Sequence, residues 1–272
     1  AADLNLPLFT PEHEYCLFAC CTTAYDPDNH KAGRALVQLL EYAGIAFGTL
    51  GAEESCCGDP AHRLGADGIF SEIARNNTDL FLRAGVRKIL TTSPHCLNAF
   101  QNTYACLKDT VASEHYTELL DRLITAGRLR PTVEVRATVT YHDPCYLGRH
   151  NGIYEAPRRV LQNIPGLTLI EMASHREASM CCGGGGGGAW SDVPAQQRLG
   201  VLRVEEALST GAGVIATACP YCIRMLNDAV RVMGVDNRIG VRDLAELLLQ
   251  SVMLKDEAKI TERVELGIDQ EV

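Results

Sequence analysis

The cysteines of this chain fall into one ordered set that is then repeated. Laying YCLFACCTTAYDP (Tyr15 to Pro27) against VTYHDPCYLGRHN (Val139 to Asn151) puts Cys21 on Cys145, 124 residues later. ESCCGDP sets Cys56 and Cys57 against Cys181 and Cys182 at an offset of 125, and TTSPHC (Thr91 to Cys96) matches TACPYC (Thr217 to Cys222) at 126. HYTELLDRLI from His115 also resembles VRDLAELLLQ from Val241. Four landmarks kept in order with so little drift mark a duplicated unit. The join falls at GRLRPTVEVR (Gly127 to Arg136), where a proline follows a helical pattern, so the units are read as residues 1–130 and 131–272.

Each copy reads as α/β, a small parallel sheet flanked by helices. In the first, YCLFACC is an apolar run ending at cysteine, KAGRALVQLLEYAG (Lys31 to Gly44) has helical periodicity with a glycine stop, and GIAFGTLG is a second short strand before CCG. FSEIARNNTDLFLRAG (Phe70 to Gly85) is an amphipathic helix, and VRKILTTSP is a strand. In the second copy the strands are ATVTYHDPC, LTLIEM and GVIATACP, with helices around Ala156 to Asn163 and Gln196 to Leu208. Strand and helix in alternation imply parallel pairing, and ligands of such sheets gather beyond the strand carboxyl ends. The landmark cysteines sit at those ends, which lets them converge although they are far apart in sequence.

Composition narrows the function. A formal charge of −9, with no basic stripe, makes a nucleic-acid backbone an unsuitable partner. No apolar run approaches the roughly 18 residues of a membrane span, and the chain does not start like a signal peptide. Twelve cysteines in 272 residues suggest disulfides, metal or redox chemistry. A disulfide scaffold suits short secreted chains without a core, whereas the vicinal pairs Cys56-Cys57 and Cys181-Cys182 suit metal ligation. The reading is therefore a reducing, cytoplasmic setting, with any attachment to the inner face of a membrane made through partners.

In the second copy Cys145, 35 residues, Cys181-Cys182, 36 residues beginning with Gly183, and Cys219-x-x-Cys222 bring five thiols to one place. A structural zinc needs four ligands, usually from two paired arms, and is the competing reading. An iron–sulfur cluster holds several irons and can use a fifth thiolate, which makes it the leading one. The run CCGGGGGGAW (Cys181 to Trp190) then acquires a task. Gly183, Gly184 and Gly185 are read as part of the cofactor site, leaving one face of the cluster open and aiming backbone N–H groups at its sulfurs. No Gly-Lys-Ser/Thr follows, so the run is not read as a phosphate loop.

YHDPCYLGRHNGIY, CCG and CPYC resemble the motifs of the cysteine-rich CCG-domain proteins, and the resemblance spans roughly residues 15–253. That duplicated module occurs in the B-type and D-type components of heterodisulfide reductase, in electron-transferring-flavoprotein:quinone oxidoreductases, and in membrane sulfite-reduction and lactate or glycerol-3-phosphate oxidation complexes. The similarity is strongest to D-type proteins, where the unit follows a ferredoxin-like segment and often a membrane anchor, so the chain is read as a fragment or one subunit of a complex. The resemblance implies non-cubane [4Fe-4S] clusters, held in the second copy by Cys145, Cys181, Cys182, Cys219 and Cys222, at which a disulfide is cleaved in one-electron steps.

The first copy departs from that pattern, with Ser93 where the first cysteine of CPxC is expected. Cys21, Cys56, Cys57 and Cys96 remain as matching ligands, leaving open a regular cluster, an altered one using Ser93 or Cys20, or none. Cys16, Cys20 and Cys106 are read as packing or free thiols, Cys20 because strand alternation would turn it away from Cys21. His95 and His142 lie beside ligand positions as proton or hydrogen-bond donors or as structural residues, and His62, Arg149 and His150 are candidates for a substrate entrance. The functional expectation is a redox subunit that takes electrons from an iron–sulfur or flavin partner and delivers them to a disulfide-type substrate. Its rival is an electron relay between a flavoprotein and a quinone-reactive membrane subunit.

Overall fold

The two halves form two sheets of the same topology. The computed structural model describes residues 6–105, 107, 109–194 and 197–252. The first half runs β1 (Tyr15–Phe18), α1 (Cys21–Tyr25), α2 (His30–Tyr42), β2 (Phe47–Gly48), α3 (Asp59–Arg63), α4 (Asp67–Arg83), β3 (Lys88–Thr91), α5 (Pro94–Asn98), β4 (Ala112–His115) and α6 (Tyr116–Thr125). The second runs β5 (Ala137–Tyr141), α7 (Glu155–Gln162), β6 (Leu167–Leu169), α8 (Leu199–Ser209), β7 (Val214–Thr217), α9 (Pro220–Met233), β8 (Gly240–Asp243) and α10 (Leu244–Ser251). The strand orders are β2-β1-β3-β4 and β6-β5-β7-β8, and every pair is parallel.

Parallel sheets need cover on both faces, and the alternation along each strand sorts side chains between two cores. Tyr15, Leu17 and Leu90 face one core, while Cys16, Phe18 and Ile89 face another. In the second half Val139, Tyr141 and Ala216 enter the same core as Tyr15 and Leu17, and Ile215 faces a third. The first of these cores is thus shared by both sheets. Between them α2 packs on α10 and α6 packs on α7, so the helix leading into the second strand of each half meets the last helix of the other. α2 buries Ala35, Leu36, Leu39 and Leu40 on that face and stops at Gly44, whose φ of 65° lets the chain turn back so that Ile45 N–H reaches the Leu40 carbonyl.

The elements expected from the sequence are present, with shorter strands. The edge strands β4 and β8, ASEH and GVRD, carry no sequence signal because each is partly exposed and polar. α9 is masked in the sequence as well, since its start coincides with the CPYC motif and its ligand pattern. The expected helix from Gln196 begins in the structure at Leu199; Gln196 itself, like Cys106, lies outside the described residues.

Polar links bind the halves across the shared core. The Tyr116 hydroxyl reaches both carboxylate oxygens of Asp243, at 2.8 and 2.9 Å, and both residues are buried. Asn29 Nδ2 donates to the Pro220 carbonyl at 3.1 Å, and Arg159 grips Asp121. Replacing Tyr116 by Phe removes a donor from a buried carboxylate, with an expected cost of about 1–3 kcal/mol. Denaturant unfolding should show a lower midpoint with one transition for both halves; an unchanged midpoint would mean this link carries no weight.

Candidate metal centre

In an open parallel sheet a crevice opens where neighbouring strands send the chain in opposite directions, here between β1 and β3 and between β5 and β7. Cys20 and Cys21 follow β1, Ser93 and Cys96 follow β3, and Cys56 and Cys57 come after β2. All five cysteines meet. Cys21 Sγ lies 3.9 Å from Cys56 Sγ. Cys56 is in hydrogen-bond contact with Cys57, Cys57 with Cys96, Cys96 with Cys20, and Cys20 with Cys21. The five thiols close a ring. This corrects the reading of Cys20 as a thiol turned away from Cys21: β1 ends at Phe18, so strand alternation no longer governs position 20. Cys16 does stay on the strand, buried, and burial pushes its thiol up to about 12.

The second copy brings together Cys145, Cys181, Cys182, Cys219 and Cys222. Cys145 contacts Cys181, Cys181 contacts Cys182, Cys182 contacts Cys222, and Cys222 contacts Cys219. Both sites favour thiolate at the first cysteine of the vicinal pair. Hydrogen bonds from Cys145 and then Cys182 draw Cys181 down to about 2, and those from Cys21 and then Cys57 draw Cys56 down to about 3. Each of these sulfurs also accepts a backbone N–H at 3.3 Å, from Gly183 and Gly58, and both glycines have positive φ, 88° and 78°. Gly184 and Gly185 act differently: their carbonyls accept from Ala189 and Gly188, closing the glycine run on itself.

His142 provides a test of what the second site is built to hold. Its Nδ1 accepts from Arg203 Nε at 3.0 Å, which leaves the proton on Nε2. That Nε2 is buried without a partner, and the imidazole, Cys182 Sγ and Cys222 Sγ offer ligand atoms within 4.8 Å of one another. A buried N–H with no acceptor, beside a cup of thiols, fits a bound group that presents negatively charged sulfur to it. A thiol-only packing core would leave that donor stranded.

Sequence reasoning missed the residues that hold this loop. Arg203 is 0 % exposed and also donates to the Ser174 carbonyl, Glu206 and Ser179 Oγ. Arg158, buried, forks onto both oxygens of Asp143 at 2.7 and 2.8 Å and onto Glu171. Asp143 further accepts from Arg176 N–H. The DP of YHDPC is visible as a motif, but its arginine partners lie 15 and more residues away, with nothing local to mark them.

One residue crosses between the copies. His95, from α5, lies in the wall of the second site, stacked at 3.9 Å on Tyr146 and 4.7 Å from the Tyr221 ring. Its Nδ1 meets Asp59 Oδ2 at 2.8 Å, and it is in hydrogen-bond contact with Cys219. Burial opposes its charge, but the bonds to Asp59 and Cys219 win and raise it to about 9; against burial, the hydrogen bonds of Cys222 and then of His95 bring Cys219 down to about 6. Tyr221 answers from the second copy with a hydrogen bond to Thr22 of the first. Positions 95 and 221 are equivalent in the repeat, so each copy sends the residue before its last cysteine into the other.

A cavity of about 1150 Å³ opens where the two sites meet. Cys21 and Cys56 of the first copy and Cys182 of the second line it, with Trp190, 59 % exposed, set edge-on to Tyr221. Around its rim Arg231 pairs with Asp28, Arg224 with Asp26 and Arg198 with Asp228. His62, Arg149 and His150, expected at an entrance, are not among its lining residues. His62 stacks on Phe70, His150 stacks on Tyr146, and Arg149 donates to the carbonyls of Glu177 and Ser179.

Comparison with known proteins agrees with the duplication. The profile of the cysteine-rich domain, CCG, matches residues 15–101 and again 139–227. The chain is 39% identical over 245 residues to the probable iron-sulfur-binding oxidoreductase FadF of Bacillus subtilis, covering 90% of this chain and 35% of that protein. It is 37% identical over 254 residues to the EtfAB:quinone oxidoreductase of Syntrophomonas wolfei, covering 91% and 35%. With the D-type component of the dihydromethanophenazine:CoB–CoM heterodisulfide reductase of Methanosarcina barkeri it shares 35% over 243 residues, covering 87% and 58%. The chain therefore spans about a third of the length of the first two relatives.

The loop that carries Cys145 depends on the Arg158–Asp143 pair. Asp143→Ala leaves a buried guanidinium with Glu171 and the Tyr154 carbonyl but without its paired carboxylate, at an expected cost of about 3–5 kcal/mol. Denaturant unfolding of the metal-free chain should show that loss; a shift within a few tenths of a kcal/mol would mean the pair does not hold the loop.

Proposed function

The chain belongs to the cysteine-rich (CCG) domain family, and on that premise we propose that it is an iron–sulfur redox module passing electrons to or from a disulfide-type sulfur substrate. The observation that carries this reading is the cavity of about 1150 Å³ that reaches thiols of both copies. Cys145, Cys181, Cys182, Cys219 and Cys222 would hold a [4Fe-4S] cluster of the non-cubane type, and Cys21, Cys56, Cys57 and Cys96 belong to a second site. Bound there, such a cluster supplies one-electron redox chemistry.

The chain's own residues supply access and setting. Gly183 and Gly188 line the cavity beside Cys182 without side chains, which leaves that thiolate approachable. Trp190 and Tyr221 offer aromatic surface to an apolar or sulfur-bearing group. The rim arginines are each matched by an aspartate, so the mouth has no excess charge from those pairs. His142 holds an N–H next to Cys182 and Cys222 for a sulfur acceptor, and Asp59 keeps His95 against Cys219. Reduction of R–S–S–R′ to two thiols takes two electrons and two protons, with an iron–sulfur or flavin subunit as the electron donor.

A second reading is favoured by the FadF and EtfAB:quinone oxidoreductase relatives. In it the chain relays electrons between a flavoprotein and a quinone-reactive membrane subunit and has no substrate of its own. No helix among the described residues is long and apolar enough to cross a membrane, so in either reading membrane docking runs through a partner or through another part of the protein.

The readings separate in an anaerobic assay of the iron- and sulfide-reconstituted chain, with reduced methyl viologen as donor and a small alkyl disulfide as acceptor. The substrate reading predicts thiol release coupled to viologen oxidation and its fall to background in Cys182→Ala. Clusters that are reduced by viologen but not reoxidised by the disulfide would favour the relay, and zinc bound without sulfide would contradict both.

A further inference from the structure

We propose that Cys20 is the fifth thiolate of the first copy, standing in for the cysteine that Ser93 replaces, so that both copies are five-sulfur sites reached by different sequence routes. The inference rests on the iron–sulfur reading above and concerns only which residues of the first copy hold the group.

The repeat exposes a reciprocal exchange. Position 93 is serine in the first copy and its equivalent, Cys219, is cysteine in the second; position 20 is cysteine in the first and its equivalent, Pro144, is proline in the second. Each copy lacks a thiol where the other has one. The count of thiols at each site is kept, and the structure puts the relocated one in the gap. Cys20 is 2 % exposed and sits between Cys21 and Cys96, closing the ring that would otherwise stop at Cys96. Ser93 is not free to do this. Its Oγ accepts the His95 N–H at 3.3 Å as the N-cap of α5.

The backbone around Cys20 is shaped to place the sulfur. Its φ is 67°, a region that non-glycine residues rarely adopt and that persists only where surrounding structure enforces it. Glu54 supplies that enforcement, its carboxylate accepting the N–H groups of both Ala19 and Cys20. The N–H groups of Thr22 and Thr23, at the start of α1, point at the Cys20 sulfur. Backbone donors converging on a sulfur stabilise its thiolate form, the form that ligates metal. A cysteine that merely fills space needs none of this, and Cys16, buried on β1 in ordinary strand geometry, is the contrast within the same core.

The test uses the full chain, reconstituted anaerobically, with iron and acid-labile sulfide per chain and Mössbauer and electron paramagnetic resonance spectra as readouts. In a Cys182→Ala background, which isolates the first site, about four irons are expected. Adding Cys20→Ala should remove that iron and its spectrum, adding Cys16→Ala should not, and Ser93→Cys on top of Cys20→Ala should restore both. Because the rescue variant carries the same Cys20→Ala change, a fold defect cannot imitate this pattern. Retention of the first-site iron and an unchanged spectrum in the Cys20→Ala variant would overturn the proposal, as would a loss that Ser93→Cys fails to restore. A chain with an intact Cys182 that binds neither iron nor sulfide would instead remove the iron–sulfur reading itself, and this inference with it.

Discussion

Packing of α2 on α10 and of α6 on α7 turns two separate sheets toward one another, and the common cavity between the thiol sites depends on that packing. A single sheet of four parallel strands would gather its cysteines at its own crevice and stop there. Because the two sheets share one core, built from Tyr15, Leu17 and Leu90 on one side and Val139, Tyr141 and Ala216 on the other, their crevices open onto a common space. The exchange of His95 and Tyr221 across that space makes each site incomplete without the other copy. Duplication here yields a cavity that neither copy could enclose alone.

The copies are alike in fold and unlike in chemistry. The second surrounds its thiols with polar support: Arg203 on His142, Arg158 on Asp143, and a buried imidazole N–H beside Cys182 and Cys222. The first has Phe18 and Ala19 at the positions equivalent to His142 and Asp143, and its ring is backed by an aromatic cluster of Phe18, Phe81 and Phe100. Donors to the sulfurs of a redox group favour its more negative state, so the His142 N–H would add to the second site a contribution beyond the backbone donors that both sites carry.

The architecture is legible in the sequence because two independent periodicities agree: the spacing of cysteines marks the duplication, and apolar runs ending at those cysteines mark strands. Convergence of the thiols follows from parallel topology alone. The polar edge strands β4 and β8 stay hidden because half-exposed strands of four residues lack a distinctive pattern. Cys20 is misplaced when strand alternation is extended past the end of β1. His95 can be noticed beside Cys96, but its contact with Cys219, Tyr146 and Asp59 arises from the packing of one copy on the other, which no local pattern encodes. Arg158 and Arg203 are invisible for the same reason, being ordinary helix residues until the fold brings them to Asp143 and His142.

On the proposed function, the two thiol sites, one in each copy, would form a single redox unit around one cavity. Electron paramagnetic resonance of the fully reduced, iron-loaded chain tests it most directly. Two clusters facing one space should give a spin-coupled spectrum that collapses to that of a single isolated centre when Cys182→Ala removes the second site. A spectrum that is already that of one isolated centre, or a plain sum of two uncoupled centres, would show that the two sites do not act as one unit.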